Sequence, residues 1–305
     1  MSAPVAEQPG IGTALLPAFR QVLAERGRSA STCAAYATDL ELFRSWLRGG
    51  RPGEPAWARL PGGAFAAYLT YEANRGRSAA TLCRKGAALR AFCAWLEEEG
   101  MGPRGLARSV PRRLGRAAVD TTVLDEASLG ALCAAPQVET PSRMRDAALL
   151  ALLCTTGLRV TEAVCLDVED LGLAALRVRT PGRADHPAIR EPWRLVVLEE
   201  ETRAALARYV GHGRAELLVD AREPALFVNV RGQRLTRQGA WLRVMAHGRA
   251  AGVGASVSPG LLRRSAALAQ LRRGTPPAAV AERLGCTSST WLYRLRGSLA
   301  AGKRP

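Results

Sequence analysis

The sequence predicts a mainly α-helical protein with one small β-hairpin, divided into two domains. Three observations carry that reading. Apolar residues recur at helical spacing along most of the 305 residues, and only residues 175–180 and 193–198 read as strands, flanking a polar, Pro-containing turn. Residues 101–119 hold Gly, Pro and Arg without periodicity, which is the composition of a linker. Charge is segmented: 17 basic against 9 acidic side chains in residues 1–119, 12 against 17 in residues 120–230, and 14 against 1 in residues 231–305.

Residues 1–10 are small and polar and read as a loose arm, with a helical first domain over residues 11–100. A helix is expected at 15–24. The run GRSASTCAAYATDLELFRSWL then supplies a serine cap, Ser29 or Ser31, and an apolar stripe of Tyr36, Leu40, Phe43 and Leu47. Residues 49–63 are a Pro- and Gly-rich loop, and Phe65, Tyr68 and Leu69 begin a third helix. GRSAATLCRKGAALRAFCAWLEEEG repeats the second pattern: Gly-Arg-Ser, apolar spacing, and a closing aromatic and leucine. After the linker, residues 120–305 form the second domain. Asp125 opens a helix to Leu132. Leu149, Leu152 and Leu153 mark the buried face of the next, which Gly157 ends because it tolerates φ > 0. Arg159 starts a short helix carrying Glu162 and Leu166. Helices follow the hairpin at 199–210, from Thr236 to His247, and at 261–271, 276–284 and 290–299, with a short apolar segment at 225–230.

Composition bounds the function. The net charge of +16, concentrated in the last segment, points to a polyanionic partner, and nucleic acid leads. Only Lys85 and Lys303 are lysines; the remaining bases are arginines amid abundant Ala and Gly, so single arginines carry less information than usual. The seven cysteines form no CxxC and sit mostly in apolar helical runs, as reduced core thiols of a cytoplasmic protein do. Three histidines, none clustered with cysteines, argue against a zinc site. No apolar run has the ~18 residues of a membrane span, and the first residues show no signal-peptide core.

The most informative stretch is TTGLRVTEAVCLDVEDL, residues 155–171. An arginine beside a glycine turn, with apolar residues on both sides, reads either as a partner of Glu162 or as a functional cation. The stretch closely resembles the first catalytic-arginine box of the tyrosine recombinases, the phage-integrase and Xer-like family. SPGLLRRSAALAQL resembles the second box, with Arg263 on its arginine, and in LGCTSSTWLYRL Tyr293 best matches the nucleophile. The resemblance implies a four-helix, core-binding DNA domain ahead of a mixed α/β catalytic-type domain. It implies strand cleavage and rejoining through a 3′-phosphotyrosyl link, with Tyr293 attacking, Arg159 and Arg263 holding the phosphate and Glu162 orienting them. Guanidinium suits that role because its planar fork reaches two oxygens and stays charged. Double-stranded DNA is the implied partner, with a tetramer of the chain or a related recombinase on it. No metal, nucleotide or redox cofactor is implied. Arg183, Arg264, Arg77, Arg84, Lys85, Arg112 and Arg113 are the candidate DNA contacts.

The motifs also depart from the family. The second-box histidine position is Gly260, and the box's last position is Arg264. The general-acid lysine should fall in the turn RTPGRAD, where the nearest match is Pro181; Arg179 or Arg183 there can bind phosphate but surrenders a proton poorly, since guanidinium has a pKa above ~12. Cys286 replaces the third-box histidine, and Tyr293 follows it by seven residues instead of nine. The alternatives are therefore an inactive recombinase-like DNA binder, or a helix-turn-helix over residues 276–298 with Gly285 at the turn. In that arrangement Tyr293 packs or touches DNA. A further alternative makes Tyr293 plain core.

Overall fold

The computed structural model describes residues 15–49, 57, 60, 63–112, 122–136, 140–179, 193–253, 257–286 and 288–300. The chain separates into two compact units, Met1–Ala118 and Val119–Pro305.

The first unit holds α1 (Leu15–Glu25), α2 (Ala30–Arg48), α3 (Ala64–Asn74), α4 (Ala79–Glu98) and the single turn α5 (Leu106–Ser109). The repeated Gly-Arg-Ser is a stop-and-start device. Gly27 and Gly76 take positive φ after α1 and α3, and two residues later Ser29 and Ser78 accept from the backbone N–H of Thr32 and Thr81 at 3.2 and 3.3 Å. Its core is aromatic. Phe43 lies 5.4 Å from Phe65 and 5.0 Å from Tyr68, and Phe19 meets Phe92 edge-on at 5.2 Å.

The structure corrects two expectations here. Residues 101–112, read as linker, are partly packed: Leu106 and Val110 are buried in this core, and Glu97 accepts from the N–H groups of Gly105 and Ala107 at 3.0 and 2.7 Å. Residues 113–121 lie outside the described residues. Lys85, named as a DNA contact, is 2% exposed. Its ammonium donates to the Tyr68 hydroxyl at 2.9 Å and pairs with Glu72 and Asp39 at 3.3 and 3.6 Å, joining α2, α3 and α4. Burial alone would lower the lysine's pKa; the Tyr68 hydrogen bond and the carboxylates outweigh it and raise it. Inside the core, the ammonium has no route to a phosphate.

The second unit opens with α6 (Glu126–Ala134), capped by Asp125, and α7 (Pro141–Thr156), capped by Thr140. Then come α8 (Val160–Val164), a 3-10 turn at Val168–Asp170, and the antiparallel pair β1 (Ala175–Arg179) and β2 (Trp193–Val197), in register Ala175↔Val197 to Arg179↔Trp193. The turn between the strands, with Arg183, lies outside the described residues. Next is α9 (Glu200–Arg208), which runs through a π-helical turn at Tyr209–Gly213 into α10 (Arg214–Leu217). The π turn stacks Tyr209 on Phe227 with centroids 5.8 Å apart. The apolar segment at 225–228 is fully buried. Four helices follow: α11 (Arg237–Ala250), α12 (Pro259–Arg272), α13 (Pro277–Arg283) and α14 (Thr290–Ala300). The main core surrounds α7, and a smaller cluster joins α12, α13 and α14 through Leu268, Val280, Leu284, Leu292 and Leu295.

α7 also buries an ionic chain. Arg145 donates to Asp146 at 2.7 and 2.9 Å and to the Val228 carbonyl at 3.1 Å, and Asp146 pairs with His247 of α11 at 2.9 Å. Among the described residues no helix is long and apolar enough to cross a membrane.

Removing one partner of a buried ion pair costs about 3–5 kcal/mol, because the remaining charge stays buried. Lys85→Met is therefore expected to lower unfolding free energy by about 3 kcal/mol, with DNA affinity per folded molecule unchanged; denaturant titration alongside a binding isotherm checks both.

Candidate active site

The site is assembled by a turn, a helix start and a hairpin strand. Gly157 (φ +66°) ends α7 and lies so close to α12 and α13 that a Cβ there would meet Leu284 Cδ2 at 2.8 Å and Ala266 Cβ at 3.2 Å. The chain leaves this turn straight into Arg159, at the N-terminus of α8. Glu162, one turn later, folds back and accepts from the Arg159 backbone N–H at 2.8 Å.

Glu162 is fully buried, and two arginines satisfy it. Oε1 accepts from Arg159 Nη1 and Arg194 Nη1, each at 3.0 Å; Oε2 accepts from Arg194 Nη2 at 2.9 Å and from the Arg159 backbone. Burial would raise its pKa, but the Arg194 hydrogen bond and charge, then those of Arg159, hold the carboxyl below the usual range.

Arg263, on α12 and 104 residues from Arg159 in the sequence, reaches the same place. Its Nη1 donates to the Gly157 carbonyl at 2.6 Å, and its Nη2 donates to the Leu284 carbonyl at 2.8 Å and to Cys286 Sγ at 3.1 Å. Arg159 donates to the Gly285 carbonyl at 3.2 and 3.3 Å. Both guanidiniums thus meet at the turn after α13. Burial first, and the like charge of Arg159 second, push the Arg263 guanidinium below its usual pKa. Three arginines around one carboxylate leave a positive excess, and the Arg159 side chain is 42% exposed. The arrangement can bind a phosphodiester and stabilise extra charge on its oxygens.

Tyr293 is not among these contacts. Leu292 and Leu295 turn inward on α14, leaving Tyr293 half-exposed with the Arg296 guanidinium 5.4 Å from its ring centre. The plain-core reading of Tyr293 therefore fails. Among the described residues no hydrogen bond joins its hydroxyl to Arg159 or Arg263. A Cβ at Gly260 would make ordinary contact with Arg264 Nη1 at 3.8 Å and Ser258 Oγ at 3.9 Å. Arg264 donates to the Thr122 carbonyl at 2.9 Å. In the first unit, Arg77 pairs with Glu72 at 3.5 Å, Arg84 pairs with Asp39, and Arg112 is exposed. Arg113 and Arg183 lie outside the described residues. No cluster of three or more metal-ligating side chains occurs among the described residues.

Sequence reasoning missed Arg194. Its signal is an inverted alternation in β2: Trp193, Leu195 and Val197 face solvent, while Arg194 is in phase with buried Val196. The turn residue Gly285 (φ +62°) is tied to it, since a Cβ there would meet the Arg194 guanidinium at 2.8–3.2 Å.

The chain matches known families and solved structures. A model described as "Phage integrase family" matches residues 122–294, and one described as "Phage integrase, N-terminal SAM-like domain" matches residues 17–100. Tyrosine recombinase XerC of Roseiflexus sp. (strain RS-1) is 33% identical over 288 residues, covering 90% of this chain and 86% of that one. Tyrosine recombinase XerD of Pseudomonas putida is 32% identical over 311 residues, covering 93% of each. With tyrosine recombinase XerD of Pseudomonas aeruginosa the match is 37% over 172 residues, spanning only 56% of each chain. Two solved structures share the fold. A lambda integrase dimer bound to a COC′ core site aligns with TM-score 0.68 and 16% identity, over 92% of this chain and 96% of that one. XerH site-specific recombinase bound to difH substrate in a pre-cleavage complex aligns with TM-score 0.67 and 18% identity, over 97% and 85%.

Glu162 gives the site a pH signature. Because its folded pKa is depressed, its stabilisation is complete above the ordinary carboxyl range near pH ~4.3 and is lost as pH falls through the folded value. Glu162→Gln is expected to cost about 3 kcal/mol at pH 7, with the gap to wild type closing in acid; denaturation midpoints across pH measure it.

Proposed function

The chain belongs to the phage integrase family, and from that premise we propose that it is a site-specific DNA recombinase that cuts and rejoins duplex DNA through a 3′-phosphotyrosyl intermediate. The observation that carries the reading is the convergence of Arg159 and Arg263, from distant parts of the chain, on the Leu284 and Gly285 carbonyls beside a saturated Glu162. Two guanidiniums so placed stabilise a five-coordinate phosphorus whose oxygens gain charge. Tyr293 Oη gives up its proton to water as it attacks phosphorus, the P–O5′ bond breaks, and the leaving 5′ oxygen takes a proton from water. Rejoining reverses these steps with a new 5′ hydroxyl. The Tyr293 hydroxyl has to approach the arginine pair when DNA is bound. The XerC and XerD relatives are tyrosine recombinases, which supports this chemistry, and XerH bound to a difH substrate and lambda integrase bound to a COC′ core site support this substrate. A lambda integrase tetramer bound to a Holliday junction aligns over 93% of this chain, which supports a tetramer of this protein on two duplexes. The reading puts the protein in the cytoplasm, with the nucleoid where the source is prokaryotic, and needs no metal for these steps.

A second reading has its own support. Gly260 and Cys286 carry no imidazole, and Tyr293 stands apart from the arginines, so the same fold serves a protein that binds DNA without cutting it or that joins an active partner. The separate helix-turn-helix reading has less support. α13 has only seven residues, and the carbonyls of its turn are held by Arg159 and Arg263, which makes the turn part of the phosphate site.

Covalent trapping separates the two. Purified protein is mixed with sheared genomic DNA from its source and denatured, and protein-linked fragments are sequenced beside Tyr293→Phe. The expected result is adducts enriched at one locus and absent from the variant. Specific DNA retention without adducts would leave the non-cutting reading.

A further inference from the structure

We propose that Arg194 is a positioning residue of this site: it neutralises and saturates the buried Glu162, so that Arg159 keeps its outer guanidinium edge for the scissile phosphate. The inference rests on the recombinase reading above for its substrate, and on four contacts for its geometry. A carboxylate offers about four acceptor positions. At Glu162 all are taken, two by Arg194 and two by Arg159, of which one is the Arg159 backbone N–H. Arg159 therefore gives Glu162 only a single side-chain nitrogen, Nη1, while Nη2 points to the Gly285 carbonyl at 3.2 Å. Without Arg194, two acceptor positions of an ionised, buried carboxylate would open beside the Arg159 guanidinium. The planar fork then closes on both oxygens, the strongest geometry for this pair, and its outer edge turns from the phosphate.

Arg194 also fixes where the phosphate would lie. Its Nε donates to the Arg283 carbonyl at 3.0 Å, at the end of α13. The turn that follows supplies the Leu284 and Gly285 carbonyls that hold Arg263 and Arg159, and Cys286, whose Sγ meets Arg263. Gly285 fits only because it has no Cβ to strike Arg194. One side chain from β2 thus joins the hairpin, the start of α8 and the turn after α13. Its side chain is 14% exposed against 42% for Arg159, so of the two arginines on Glu162 it is Arg159 that is presented to a ligand.

The test uses the full-length protein and its trapped DNA site. Arg194→Gln is expected to slow single-turnover cleavage by about 10²-fold, the scale of a 1 Å misplacement of a catalytic group, with DNA affinity falling by no more than the roughly tenfold loss of one phosphate contact. Arg194→Lys should fall between wild type and Arg194→Gln. The distinguishing prediction is Arg194→Gln with Glu162→Gln: removing the competing carboxylate frees Arg159, so the double variant cleaves faster than Arg194→Gln alone. A role in folding alone predicts no such recovery. Affinity for inorganic phosphate, read by calorimetry, reports the same edge even if the wild type proves unable to cleave; Arg194→Gln should weaken it about tenfold, the equivalent of one charge-assisted hydrogen bond, and the double variant should regain it. A folded Arg194→Gln that cleaves, or in a non-cleaving protein binds phosphate, like wild type would overturn the inference. So would a double variant no better than the single one. If Arg194→Gln does not fold, Arg194→Lys with and without Glu162→Gln gives the same comparison. Loss of cleavage in the wild type, with the phosphate pattern intact, would count against the recombinase reading and not against Arg194.

Discussion

The second unit depends on keeping one ionised carboxylate out of water. Glu162 has no solvent-exposed side-chain surface, and an isolated charge in that position would be too costly to keep. Its four hydrogen bonds come from two arginines on different elements, so the charge is tolerable only when the end of α7, the start of α8 and β2 are all in place. The same condition sets the arginine pair. Arg159 and Arg263 meet only because α12 crosses the Gly157 turn closely enough for Arg263 to hold its carbonyl. Fold and site are thus one hydrogen-bonded object in which a negative centre organises a positive surface.

The sequence made some of this legible and hid the rest, for physical reasons. Arg159, Glu162 and Arg263 were singled out by the resemblance of their stretches to the family's boxes, and the fold brings Arg159 onto Glu162 and both arginines onto the turn after α13. The sequence offered Ser29 or Ser31 as the cap of α2, and the cap is Ser29; Ser78 caps α4 in the repeated Gly-Arg-Ser. Arg194 could not be read that way. Strand alternation shows that two faces differ, and here the apolar residues Trp193, Leu195 and Val197 occupy the outer one, the reverse of the usual assignment. Arg177 and Arg179 stack over Trp193 at 4.8 and 5.4 Å, which makes that outer face part aromatic and part cationic.

Lys85 illustrates the opposite error. A lysine on an amphipathic helix of a basic protein looks solvated, and nothing local distinguishes it from Arg84 beside it. The partners that draw it inward, Asp39, Glu72 and Tyr68, lie on other helices and come together only through packing. Leu106 and Val110 were hidden by composition, since a single helical turn among Gly, Pro and Arg has too few residues to show a period. Gly260 and Cys286 stand where the resemblance places histidines. The thiol contact to Arg263 is what packing added.

The shielding of Lys85 changes how the molecule answers amine chemistry. The chain has two lysines, and the ε-amine of one sits in a core between two carboxylates and a phenol, raised in pKa and closed to reagent. Acylating dyes, crosslinkers or acetyl donors applied to the native protein therefore leave the Lys85 amine unmodified, and the sequence holds one other lysine, Lys303. Nearly all of its positive charge is guanidinium, so it persists under such treatment. A fluorophore or surface tether added through a lysine becomes close to a single-site attachment.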